Sequence, residues 1–203
     1  YVADSLINGF SQTHVSGTGC ADYGDILIMP TVGEQTISNQ IDTVQNLPYA
    51  SSFSHSTEKA EPGYYSVKLD RYGVLAELTA TDRVALYRFT YPEQLEGDAG
   101  MIVDMDYSIQ RQQNLTMDIH ALSDTEIAGY KMTKYWAFDQ GIYFYAKFSS
   151  HFELSYVTDT IQTSKGQPYA ISKALLKFPE IKGGDILSVK IAVSAVDENG
   201  AKG

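Results

Sequence analysis

Apolar and polar residues alternate one by one along most of this chain, and that period fits strands with one face buried and the other wet. Leu115, Met117 and Ile119 alternate with Thr116, Asp118 and His120. Ile142, Phe144, Ala146 and Phe148 alternate with Tyr143, Tyr145 and Lys147, and Leu187 to Ala195 repeats the pattern. The same reading sets strands over 64–69, 74–79, 84–91, 101–107, 126–132 and 170–178, and a solidly apolar one over 26–29. Turn chemistry separates them. Asp70-Arg71-Tyr72-Gly73 closes a short hairpin, Asp139-Gln140-Gly141 and Lys182-Gly183-Gly184-Asp185 precede two strands, and Pro92 ends one because it cannot donate to a ladder. About ten strands with no sustained helical period predict an all-β, antiparallel β-sandwich. One such domain fits 203 residues, with bounds 1–196 and a polar, Gly-rich tail over 197–203 that reads as the start of a linker.

Charge narrows the partners. The formal net charge of -10 repels phosphate backbones and anionic lipid surfaces, so the expectation is no nucleic acid. No apolar run approaches the ~20 residues of a membrane-spanning helix. The single cysteine, Cys20, permits no intrachain disulfide and leaves the compartment open.

The densest run of small and polar residues is Gly9 to Asp25, just ahead of the apolar Ile26–Met29 strand. Gly17, Gly19 and Gly24 allow a backbone to approach a ligand or another chain closely. Their exposed amides and carbonyls can meet sugar hydroxyls, and His14, Asp22 and Asp25 add side-chain donors and acceptors. Three other readings compete. Gly17-Thr18-Gly19 is half of a dinucleotide fingerprint, but Asp22 stands where the third glycine belongs and no strand–turn–helix frames it. A Cys20/His14 nucleophile pair is weaker than a small buried cysteine near a turn histidine. A metal held by His14, Asp22 and Asp25 fits no standard spacing.

At this loop the chain resembles a known family. Gly9-Phe10-Ser11, Thr13-His14, Ser16-Gly17-Thr18-Gly19-Cys20 and Asp22-Tyr23-Gly24-Asp25-Ile26-Leu27 are similar to the signature of glycoside hydrolase family 92. Further blocks follow in order: Phe53-Ser54-His55, Glu58 to Tyr65, Ala76 to Thr81 with Arg83, Gly129-Tyr130, Trp136-Ala137, Asp139-Gln140, Tyr143-Phe144, then Ser194 and Gly200-Ala201. The resemblance implies the N-terminal sandwich (supersandwich-like) of an exo-acting, inverting α-mannosidase that trims α-mannosides from N-glycans, followed by a helical barrel. It implies that calcium, the general acid and the general base belong to that barrel, with none of them in this chain. It implies a sugar pocket at the domain boundary, to which this chain offers His14, Gly17, Thr18, Gly19, Cys20 and Asp22. It implies a secreted, periplasmic or cell-surface protein. Family members carry a further Gly-, His- and aromatic-rich stretch ahead of Tyr1, so the domain's start is expected to be cut.

Other residues carry two readings each. His14 either lines the pocket or only shapes its turn. Asp22 and Asp25 read first as turn or interface groups. Asp104 and Asp106 alternate with Val103 and Met105 and are expected on a solvent face. His55, Glu58 and Glu61 read as a solvated loop. Trp136, the only tryptophan, reads first as core or interface packing and second as a sugar-stacking ring. Asn114-Leu115-Thr116 is a glycosylation sequon set in a predicted strand. The main rival to a mannosidase half is an independent carbohydrate-binding module; a purely structural interaction domain is the third reading.

Overall fold

The computed structural model describes residues 5–13, 24–40, 47–108 and 113–203. In chain order the strands are β1 (Leu6–Ile7), β2 (Phe10–Ser11), β3 (Leu27–Val32), β4 (Ser51–Ser52), β5 (Lys59–Glu61), β6 (Tyr64–Leu69), β7 (Val74–Ala80) and β8 (Val84–Thr90). They continue with β9 (Ala99–Asp104), β10 (Gln113–Ala121), β11 (Glu126–Lys134), β12 (Gln140–Phe148), β13 (Glu153–Gln162), β14 (Pro168–Phe178) and β15 (Ile186–Ser194). One 3-10 turn, His55–Thr57, and one short helix, α1 (Glu198–Lys202), complete the described elements.

Eight strands form a large sheet in the order β10-β11-β12-β15-β8-β7-β6-β5, five form a smaller one, β13-β14-β9-β3-β2, and β1 pairs with β4. The described pairings are all antiparallel. The predicted antiparallel sandwich is therefore the observed architecture. Its core is the alternating set read from the sequence: Ile119, Phe144, Ala146, Leu187, Val189 and Ile191 are all buried. At one end Phe148, Phe152 and Phe178 meet edge-to-face or tilted, with centroids 5.4 to 6.3 Å apart, and so join the large sheet to the small one. Farther across the sandwich, Phe10 of the small sheet packs on Tyr87 and Phe89 of the large one.

Local chemistry sets several boundaries. The β6–β7 hairpin turns where Gly73 adopts φ 67°, a value that a side chain disfavours. β9 stops at Asp104, short of the expected Tyr107, because Asp104 Oδ1 accepts from the backbone N–H groups of Asp106 (2.8 Å) and Tyr107 (3.2 Å) and bends the chain off the ladder. β13 has no alternation to read: it is an edge strand, exposed or half-exposed at every position. Within 197–203, expected to lead away as a linker, Asp197 caps α1 by accepting from Gly200 N–H at 2.6 Å, and Ala201 is buried. Lys202 reaches the Tyr145 ring and Glu198 faces His120, so α1 lies on the large sheet.

One expectation is overturned. Asp104 and Asp106 do not face solvent; they are 1% and 8% exposed. β9 lies between β14 and β3 in the small sheet and is buried at every position, so alternation along it does not mean a wet face.

Candidate functional site

The registers place several chain reversals at one end of the sandwich. Leu27 at the start of β3 pairs with Asp104 at the end of β9. In the large sheet Ala80 pairs with Ala85, Val84 with Ala192, Tyr143 with Ser194 and Thr133 with Gln140. The 81–83 turn, the 135–139 hairpin tip and the bend after β9 therefore share this end, and the neck of the Gly9–Asp25 loop joins them.

That neck is tightly built. Gln12 N–H donates to Asp25 O at 2.9 Å, and Gly24 N–H donates to Thr13 O at 2.7 Å. Thr13 Oγ1 accepts from Asp25 N–H at 3.3 Å, and Gln12 Nε2 donates to the Tyr87 hydroxyl. Thr13 (φ 48°) and Ile26 (φ 58°) sit in the left-handed region. For β-branched residues this conformation costs on the order of 1–3 kcal/mol each, and it persists only where the surroundings fix it. Burial fixes Ile26, whose side chain is fully enclosed.

Asp25 is the anchor. It is 0% exposed, and its Oδ1 stands 2.9 Å from Lys131 Nζ of β11, an ion pair without hydrogen-bond alignment. Lys131 Nζ also donates to Tyr107 O at 2.7 Å. Beside this pair, Lys173 Nζ lies 3.9 Å from both Asp104 and Asp106, the Tyr49 hydroxyl donates to Asp104 Oδ2 at 2.6 Å, and Asn114 Nδ2 donates to Asp106 Oδ1 at 3.0 Å. Three carboxylates thus share two ammonium groups in the interior. Burial, reinforced by the Asp104 charge, pushes the Asp106 carboxyl up to about 6. Asn114 is fully buried, so the sequon offers no surface for a glycan.

Beside the neck lies a concave pocket of about 330 Å³, lined among others by Gln12, Thr13, Thr81, Asp82, Arg83 and Tyr87. That volume lies in the range of small-molecule sites, and its rim supplies donors and acceptors of both signs.

The sequence-predicted site residues His14, Gly17, Thr18, Gly19, Cys20 and Asp22 lie outside the described residues. Thr13, Gly24 and Asp25, which flank them, are described, and Asp25 proves to be a buried ionic anchor and not a sugar-facing group. His55 is exposed as expected, but Glu58 is half-buried between His55 and the Tyr65 hydroxyl, and Glu61, though exposed, belongs to strand β5 and not to a loop. Trp136 is 76% exposed, which excludes core packing. The ionic network of Lys131, Lys173, Asp104 and Asp106 was missed. A signal existed: Lys131 sits on the inward phase of β11 with Ile127, Gly129 and Thr133, and a lysine on an apolar phase demands a buried partner. Among the described residues no cluster of three or more His, Cys, Asp or Glu could hold a metal ion.

The comparisons with known proteins agree with this architecture. A family 92 α-mannosidase from Bacteroides thetaiotaomicron superposes with a TM-score of 0.82 and 36% identity over 98% of this chain and 28% of its own. An inverting family 92 mannosidase from the same organism superposes with a TM-score of 0.72 and 28% identity over 98% of this chain and 26% of its own. An uncharacterised secreted glycosidase from Arthroderma benhamiae is 29% identical over 120 residues, 57% of this chain and 15% of that protein. The chain thus spans under a third of the length of these relatives. Residues 1–194 match the family described as the glycosyl hydrolase family 92 N-terminal domain, and the chain belongs to that family.

Proposed function

We propose that this chain is the non-catalytic sandwich half of a secreted, inverting exo-α-mannosidase acting on terminal α-mannosides of glycans. Its His14–Asp22 loop reaches across a domain boundary to complete the sugar pocket, while a helical barrel carries the acid, the base and a calcium ion. The observation that carries this reading is the neck of the loop: two left-handed residues and a fully buried Asp25–Lys131 pair hold its two ends together at one end of the sandwich. Such a fixed base presents a loop in one orientation, which pre-organised sugar recognition requires. The relatives support the substrate class, since one is an inverting mannosidase and the other has also been seen in complex with mannoimidazole.

The test compares this chain alone with the longer two-domain protein that the reading requires. Hydrolysis of an aryl α-mannoside is expected only from the longer protein. His14→Ala in that protein is expected to lower kcat/KM by about tenfold or more, in the range of losing one buried hydrogen-bond partner to the sugar, with unfolding unchanged. Turnover by the 203-residue chain alone, or an unaltered His14→Ala enzyme, sinks the proposal.

A further inference from the structure

Tyr135, Trp136 and Phe138 crowd the tip between β11 and β12, where Tyr135 N–H donates to Ala137 O at 3.0 Å and closes a tight bend. They are 47%, 76% and 76% exposed. Lys134 Nζ lies 5.5 Å from the Phe138 ring, so one face of that ring already meets a cation. Exposed large aromatics in a cluster mark a contact surface. The exposed rings present flat apolar faces of the size of one sugar ring. The tip belongs to a ladder that the core holds rigid, with Thr133 paired to Gln140 directly beneath it. It also stands at the end of the sandwich that carries the loop neck, because Lys131, three residues before the strand ends, is the partner of Asp25.

We infer that the Tyr135–Phe138 tip is an aromatic platform for a pyranose of the glycan, lying beyond the terminal sugar, with a sugar C–H face stacked on Trp136. The inference rests on the mannoside reading above for its ligand class but not on the His14–Asp22 loop. The physical argument is that the axial C–H bonds of a mannopyranose present an apolar, weakly positive face to an aromatic π surface, while the ring hydroxyls stay hydrated or reach Lys134 and Asp139.

Trp136 is the only tryptophan, so its fluorescence reports on this tip. The chain is titrated with methyl α-mannoside, α-mannobiose and α-mannotriose, with sucrose as a viscosity-matched control. The expected result is a saturable blue shift and reduced acrylamide quenching, tighter for the oligosaccharides than for the monosaccharide. Phe138→Ala, which keeps the reporter, is expected to weaken half-saturation severalfold, and Trp136→Ala to abolish saturation-transfer NMR signals from the sugar. Circular dichroism is expected to stay unchanged in both variants, because both side chains are exposed. Absence of any sugar-dependent change overturns the platform. If Trp136 is also shielded from acrylamide in the longer protein without sugar, the tip is a domain contact. Retained platform binding with an unaltered His14→Ala enzyme would sink the loop proposal and leave this one standing; the converse result would do the reverse.

Discussion

Lys131 and Asp25 show what a single residue can decide in this fold. Each is fully enclosed, and each charge is tolerable only beside the other. Removing one leaves an uncompensated interior charge, so Lys131→Met and Asp25→Asn are each expected to lower unfolding free energy by about 3–5 kcal/mol in urea titrations. The double variant is expected to lose much less than the sum, which a double-mutant cycle measures. Asp106 makes a second prediction. Its carboxyl binds its proton more tightly in the folded chain, with a value of about 6, than in the unfolded chain, near the ordinary 3.8. The contribution is therefore most favourable below pH ~4 and is lost as pH rises through about 6, with a span of about 3 kcal/mol at most. Asp106→Asn is expected to flatten stability against pH over that window, and to leave the slope elsewhere unchanged. An unaltered profile would show that Asp106 does not titrate there.

At the scale of elements, the β10–β11–β12 ladder depends on one missing side chain. A Cβ on Gly129 would stand 2.1 Å from Asp118 O of β10 and 2.8 Å from the Phe144 ring of β12, so β11 is held from both sides. Gly129→Ala is expected to cost about 1–3 kcal/mol or more, whereas Gly141→Ala presses on the flexible Met132 thioether and touches the Tyr143 ring only at ordinary contact distance, and is expected to cost clearly less. Thermal unfolding of the two variants ranks them, and an equal cost would refute the argument. Elements with one wet face were legible from alternation alone: β6 was bounded correctly at both ends, and β7, β8, β12 and β15 to within two residues. β13 was not, because an edge strand lying mostly exposed imposes no pattern on its residues. The polarity of β9 was misread for the opposite reason, since a strand enclosed on both faces can hide carboxylates wherever cations stand opposite.

At the scale of the molecule, two sheets close over one core, and the residues with chemical capacity gather at one end. Asp25, Asp104 and Asp106 are locked in interior pairs, and Asp82 is the one carboxylate among the described residues that line the pocket beside the neck. Inverting hydrolysis needs two carboxyl groups roughly 6.5–9.5 Å apart across an open cleft, with room for a water. The chain alone is therefore expected to give no turnover in an aryl-mannoside assay at any pH from 4 to 8, the range over which Asp106 exchanges its proton. With a net charge of -10, it is also expected to show no binding to duplex DNA at physiological salt.

The amino-acid sequence by itself determined the class of fold, because period-two burial is a local property that each strand carries in its own residues. It determined the family as well, through ordered blocks such as Gly17-Thr18-Gly19-Cys20 and Trp136-Ala137. Only the tertiary structure decided which charges go inside. Asp25 and Lys131 are 106 positions apart, and Asp104 and Lys173 meet only because β9 and β14 pair. The exposure of Trp136 was decided there too, since whether a ring is covered depends on what the rest of the chain brings to it, and no local pattern encodes that.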